Sequence, residues 1–181
     1  MISKQEVEET IKDKDDFVKI NYLNRFLRKA DNLDMKKFLL LSLASVNESR
    51  NMIHEAVKNV SNAGDIAVTY REKRELYMKE ADLWIKIGDF NLAEKALHRA
   101  FSFGNTQERE EMESQYLESF RARGKNLENT GNTRKAIEVY ERLLQVTKSI
   151  PKKYEVKEKL LELYNKTGRI REHGRLKGRE F

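Results

Sequence analysis

Three histidines, His54, His98 and His173, are the residues of this chain suited to ligate a metal or move a proton near neutral pH. Each falls in a different predicted helix and none has a Glu three residues before it. The Glu-x-x-His of a di-iron bundle and the His-Glu-x-x-His of a zinc protease are therefore both absent. Cysteine is absent as well, which removes thiolate zinc sites, disulfides and cysteine nucleophiles together. The eight glycines stand singly, so no loop of them cradles a phosphate, and no nucleophile elbow presents a serine. The acidic run Glu108, Glu110, Glu111 and Glu113 opens a predicted helix, where carboxylates offset the helix dipole. The chemistry points to no catalytic residues, no metal site and no cofactor, and so to a protein that is not an enzyme.

Charge offers binding rather than catalysis. The formal charge is +6, but residues 166–181 alone carry +4, which leaves a nearly neutral body and a basic tail. Blanket attraction of the whole chain to nucleic acid is excluded. In the tail, Arg171, Arg175 and Arg179 are spaced i, i+4, i+8 and would make one anion-binding stripe on a helix. Gly174 and Gly178 each cost such a helix about 0.8 to 1.0 kcal/mol relative to Ala, so the segment is expected to be frayed in the free protein.

The elements that must position these groups are helices. Among 181 residues there is one proline, 39% are hydrophobic and 36% are charged, a balance that favours long helices joined by short turns. Ser3-x-x-Glu6 reads as a capping box, and Phe17, Ile20, Leu23, Phe26, Leu27 and Ala30 line one face of a second helix. Asp34 opens a third, running through the apolar stretch 38–46, and Met52, Ile53, Ala56, Val57 and Val60 mark a fourth. Thereafter Ala63-Gly64-Asp65, Ile87-Gly88-Asp89, Thr130-Gly131-Asn132 and Thr167-Gly168-Arg169 repeat one punctuation, a left-handed glycine followed by a residue that in three of the four can cap the next helix. Helices are predicted over 65–87, 89–103, 107–130, 132–147 and 152–167. Glu75 to Lys79, Glu138 to Arg142, Glu155 to Lys159 and Glu162 to Lys166 have the favourable i, i+4 order.

Aligned on Gly88 and Gly131, two segments superimpose. Tyr77, Ala81, Trp84, Gly88, Ala93, Leu97 and Ala100 fall opposite Phe120, Gly124, Leu127, Gly131, Ala136, Tyr140 and Leu143. Small residues let paired helices cross closely and bulky ones fill the space between pairs; Trp84 takes a core position in this scheme. The pattern resembles the tetratricopeptide repeat family over 74–107 and 117–150. A partial third copy runs through Leu161, Tyr164 and Gly168, with His173 and Lys177 where Ala and a bulky residue belong. The resemblance implies an all-α chain of antiparallel helix-turn-helix repeats stacked as a short α-solenoid. The expected organisation is one domain, 1–181, with N-terminal helices over 1–63, repeats over 64–168 and a basic tail over 169–181.

In the family, first helices line a concave groove that receives a peptide or helix. By the alignment Glu75, Met78, Lys79, Asp82, Ile85 and Lys86 would face it, then Glu118, Arg121, Ala122, Lys125, Glu128 and Asn129, then a row from Glu155 to Lys166 that includes Lys159. Lys79, Asp82, Lys86, Arg121, Lys125 and Asn129 are the candidate partner-binding residues. Met78 and Asp82 stand where chaperone-tail binders place Lys and Asn, which disfavours that ligand. The expectation is a cytoplasmic scaffold that binds another protein and is capable of self-association. The alternative is a nucleic-acid adaptor acting through the tail. The N-terminus is polar from Met1 to Glu6, and the longest apolar run is too short to span a bilayer, so no membrane role is expected.

Overall fold

The computed structural model of the chain describes residues 3–181; Met1 and Ile2, at the start of the polar N-terminus, lie outside the described residues. Among the described residues every regular element is an α-helix. The chain divides into two compact units, Met1–Met112 and Glu113–Phe181. The first contains α1 (Lys4–Ile11), α2 (Asp16–Lys29), α3 (Leu33–Ser49), α4 (Ile53–Ile66), α5 (Tyr70–Ile87) and α6 (Phe90–Phe101). Helix α7 (Thr106–Asn129) leads into the second, which continues with α8 (Thr133–Val146), α9 (Ile150–Lys166) and α10 (Ile170–Lys177). Helices consecutive in the chain pack on each other from α1 to α6 and again from α8 to α10, the all-helical hairpin architecture expected of tetratricopeptide-like repeats.

Four helices end on the same backbone device. Asn51, Gly88, Gly131 and Gly168 adopt φ of 60°, 90°, 75° and 69°. In each case the following amide donates to the carbonyl four residues before the left-handed residue: Met52 to Asn47, Asp89 to Trp84, Asn132 to Leu127 and Arg169 to Tyr164, at 2.8 to 3.0 Å. These are Schellman ends, which satisfy carbonyls the helix leaves open and turn the chain sharply. Their spacing is 37, 43 and 37 residues.

The first of these ends corrects the sequence reading. Ala63-Gly64-Asp65 is not a turn but lies inside α4; the chain turns at Ala67 and Val68, and Thr69 opens α5 with a full capping box to Glu72. Gly64 is there for closeness, because a Cβ on it would stand 2.6 Å from Tyr77 Cε1. Between α3 and α4 it is Asn51, not a glycine, that supplies the left-handed residue, since its short polar side chain tolerates that conformation. Aligned on Asn51, residues Leu40, Ala44, Asn47, Ala56, Val60 and Ala63 occupy the places of Tyr77, Ala81, Trp84, Ala93, Leu97 and Ala100, and all six are buried. The α3–α4 hairpin is thus a further copy of the repeat, within the region the alignment on glycines left unassigned.

Leu23, Leu39 and Leu43 join α2 and α3 with Val7 of α1, while Ala44, Ile53, Ala56, Val57, Val60 and Leu83 tie α3 to α4 and α5. Full burial of such side chains stabilises by about 1.5 to 3 kcal/mol each. Phe17 departs from the predicted apolar face: it is 56% exposed, with the Arg50 guanidinium 3.7 Å above its ring. Trp84 is half-buried against the same core as Leu83. Asn132 begins α8 without a side-chain cap, unlike Asp89, whose carboxylate accepts from the Leu92 amide.

The tail is a further correction. Residues expected to be frayed form α10, which packs on α9 and buries Leu176. His173 is half-buried and Lys177 exposed where a repeat would place Ala and a bulky residue.

Candidate functional site

On α7, Glu118, Arg121, Ala122, Lys125, Glu128 and Asn129 recur at intervals of three and four, so one helix face carries all six. They line one side of an open cleft of about 640 Å³. Tyr140 and Leu143 of α8 and Glu155, Val156 and Lys159 of α9 complete it. Every lining residue lies within the second unit. The face read from the sequence is thus a cleft wall. Of the row expected on α9, Glu155 and Lys159 line the cleft.

One carboxylate holds three helices of this site. The Tyr140 hydroxyl donates to Glu128 Oε1 at 2.8 Å, and Lys159 Nζ lies 2.8 Å from Glu128 Oε2. Burial, reinforced by the bond to Glu128, raises the Tyr140 phenol well above its ordinary pKa, so it remains a donor. The bond to Glu128 likewise raises Lys159 and keeps it charged. Lys159 also reaches Glu162 at 3.1 Å, so its carboxylate partners are these two rather than the predicted Glu155. Gly124 permits this arrangement, since a Cβ there would meet the Tyr140 ring at 2.6 to 2.9 Å.

The remaining polar groups are more open. Arg121 makes an i, i+3 pair with Glu118 at 3.3 Å. Lys125 and Asn129 are exposed, and Lys125 has no ion pair among the described residues. Three carboxylates and three cations line the cleft, with the exposed Ala122 and the largely buried Tyr140, Leu143 and Val156 as its apolar lining.

The other predicted partner-binding residues lie on α5 in the first unit. Lys79 and Asp82 are exposed, whereas Lys86 pairs with Glu48 at 3.1 Å. Met78 and Ile85, expected to face a groove, are buried. In the tail, Arg171 and Arg175 are exposed on α10, but the helix ends at Lys177. Arg179 therefore leaves the stripe and stands with its guanidinium 5.0 Å from the Phe181 ring.

The histidines sit on three helices. His54 packs edge-on to Trp84, His98 edge-on to Phe101, and His173 lies on α10. Among the described residues no three His, Asp or Glu side chains gather as a metal set, and no helix is long and apolar enough to cross a membrane. Sequence reasoning missed the role of Tyr140, which the repeat alignment places in the core. It is buried there, but its hydroxyl reaches the cleft, and the Glu128 carboxylate one helix away gives no signal in the spacing.

No protein-family model matches the chain, and no curated protein matches it in sequence. Among solved structures, one titled "Crystal structure of MamA" is similar, at 17% identity and a TM-score of 0.44, matched over 97% of this chain and 91% of that one. A likeness at that level assigns neither family nor function to the chain.

Proposed function

We propose that this protein is a non-catalytic scaffold that holds a segment of a partner protein in the cleft between α7 and α9. The observation that carries the reading is the α7 face, six residues at helical spacing lining an open cleft. A cleft of about 640 Å³ accepts several side chains of a peptide or helix, and its size lies within the usual range of binding pockets. Its balanced charges suit a mixed, amphipathic segment rather than a polyanion. Lys125 and Arg121 would take an acidic side chain of that segment, while Ala122 would take an apolar one. In this reading residues 64–168 supply the binding surface and the hairpin ending in α10 closes the stack.

The test is Arg121→Glu combined with Lys125→Glu, measured by calorimetric titration against a partner purified with the wild-type protein. Binding should weaken at least about tenfold, since like charge replaces complementary charge, while far-UV circular dichroism and melting temperature stay unchanged. Arg171→Glu with Arg175→Glu serves as the control and should leave the partner's affinity intact. Light scattering of the purified protein separates a second copy of this chain from a different partner. A partner indifferent to the cleft change removes the α7 face from the reading.

A further inference from the structure

The last two helices carry a charge imbalance that the cleft does not use. Residues 150–181 contain ten Lys/Arg and five Glu, so nearly all of the chain's formal +6 resides there. Lys159 and Arg169 have carboxylate partners, whereas Lys152, Lys153, Lys157, Arg171, Arg175, Lys177 and Arg179 have no ion pair among the described residues. Several of these cations meet aromatic rings instead. Beyond the end of α10 the chain folds back along α9, where Lys157 Nζ donates to the carbonyls of Lys177 and Arg179 at 3.0 and 2.6 Å. This brings the Phe181 ring edge-on to Tyr154 with centroids 5.5 Å apart. Lys153 and Arg179 stand 5.4 and 5.0 Å from the Phe181 centroid, and Lys157 is 5.7 Å from that of Tyr154. Tyr154 is 40% exposed.

We infer that this aromatic pair, with the cations that stand over its rings, is a binding surface for a single-stranded polynucleotide. Flat rings accept an unstacked base of any identity, and the flexible cations over them swing aside to take the flanking phosphates as the base replaces them. An acidic peptide would use the cations and leave the rings idle. A duplex keeps its bases stacked on each other and out of reach of the rings. In the two segments that form the surface, Lys152, Lys153, Lys157, Lys177 and Arg179 outnumber Glu155, Glu158 and Glu180, so the local field favours an anion. The surface is separate from the α7–α9 cleft and shares no lining residue with it.

The test is fluorescence anisotropy of the full chain with a labelled oligouridylate, the matching oligothymidylate and a duplex of equal length, at a series of salt concentrations. Both single strands should bind and the duplex should bind more weakly. Three phosphate contacts correspond to a log-log salt slope near −2, at about 0.7 per contact. Lys153→Gln and Arg179→Gln should each reduce that slope by about 0.7. Tyr154→Leu and Phe181→Leu keep an apolar side chain and remove the flat face; each should weaken binding about tenfold with the slope unchanged, and Tyr154→Phe should restore it. The cleft variant Arg121→Glu/Lys125→Glu should bind the oligonucleotide as wild type does. Equal affinity for duplex and single strand overturns the proposal, as does competition by polyglutamate at equal charge concentration. So does binding confined to phosphatidylserine-containing vesicles, or full affinity in the two leucine variants.

Discussion

The ring of Tyr140 lies so close over Gly124 that a methyl group on the glycine would stand 2.6 Å from the ring's Cζ. Tyr140 is 7% exposed and its hydroxyl is fixed by Glu128, so the ring has little freedom to withdraw. Gly124→Ala should cost about 1 to 3 kcal/mol, the usual range for overpacking. Paired with Tyr140→Leu, the same substitution should cost much less. Urea denaturation of the two single variants and the double variant measures the coupling, and additive costs would show that the contact is loose.

Asn51 offers the opposite experiment. At φ of 60° it bears the strain of the left-handed region that glycine escapes. Asn51→Gly should be neutral or stabilise by a few tenths of a kcal/mol, whereas Asn51→Ala should cost about 1 kcal/mol or more. Thermal melts of both variants decide the matter, and a destabilised Gly variant would mean that the Asn side chain is held for another reason.

Glu72 ties α5 back to α3. Its carboxylate pairs with Lys37 and also accepts from Thr69, and these bonds lower its pKa from 4.5 to about 2. A depressed carboxylate pKa stabilises the fold fully above the unfolded value, and that contribution is lost as pH falls through the folded value. Stability should therefore decline from pH 4.5 to about 2. Glu72→Gln should flatten part of that decline and leave the remainder, which chemical denaturation at a series of acidic pH values would reveal. Identical pH profiles for the variant and wild type would remove Glu72 from the acid response.

At the alkaline end, Tyr140 and Tyr164 each donate to a carboxylate, Glu128 and Glu141, and burial first and these bonds second raise both phenols. The raised folded pKa means that stability is intact below pH 10 and falls above it, because the unfolded chain ionises these phenols first. Absorbance titration of the seven tyrosines should show a late-ionising class whose amplitude falls in Tyr140→Phe and Tyr164→Phe. A single ordinary transition would contradict the buried hydrogen bonds.

How far the fold could be read depended on which residue types have a single common use. Glycine at a left-handed helix end is one such signal, and Gly88, Gly131 and Gly168 all marked true ends. Gly64 misled because glycine also serves where a ring lies against the backbone, and periodicity does not distinguish the two. Asn51 was hidden by the converse: asparagine is common enough at exposed positions that its use here left no mark, and the α3–α4 hairpin, though both its helices were expected, went unrecognised as a repeat. The α7 face was legible because all six residues lie on one helix. The bonds that shape the cleft were not, because residues 128, 140 and 159 are brought together only by packing between helices.

The shared Glu128 carboxylate has a kinetic consequence. By binding Tyr140 of α8 and Lys159 of α9 from its place on α7, it sets the width of the cleft before any partner arrives. A partner docking there would meet a surface already in its bound form and forgo the ordering penalty that mobile walls impose. Association should then be one exponential whose rate rises linearly with partner concentration, and differences among partners should appear in how long they stay. Glu128→Gln, which weakens both bonds, should introduce a concentration-independent opening step that the parent protein lacks.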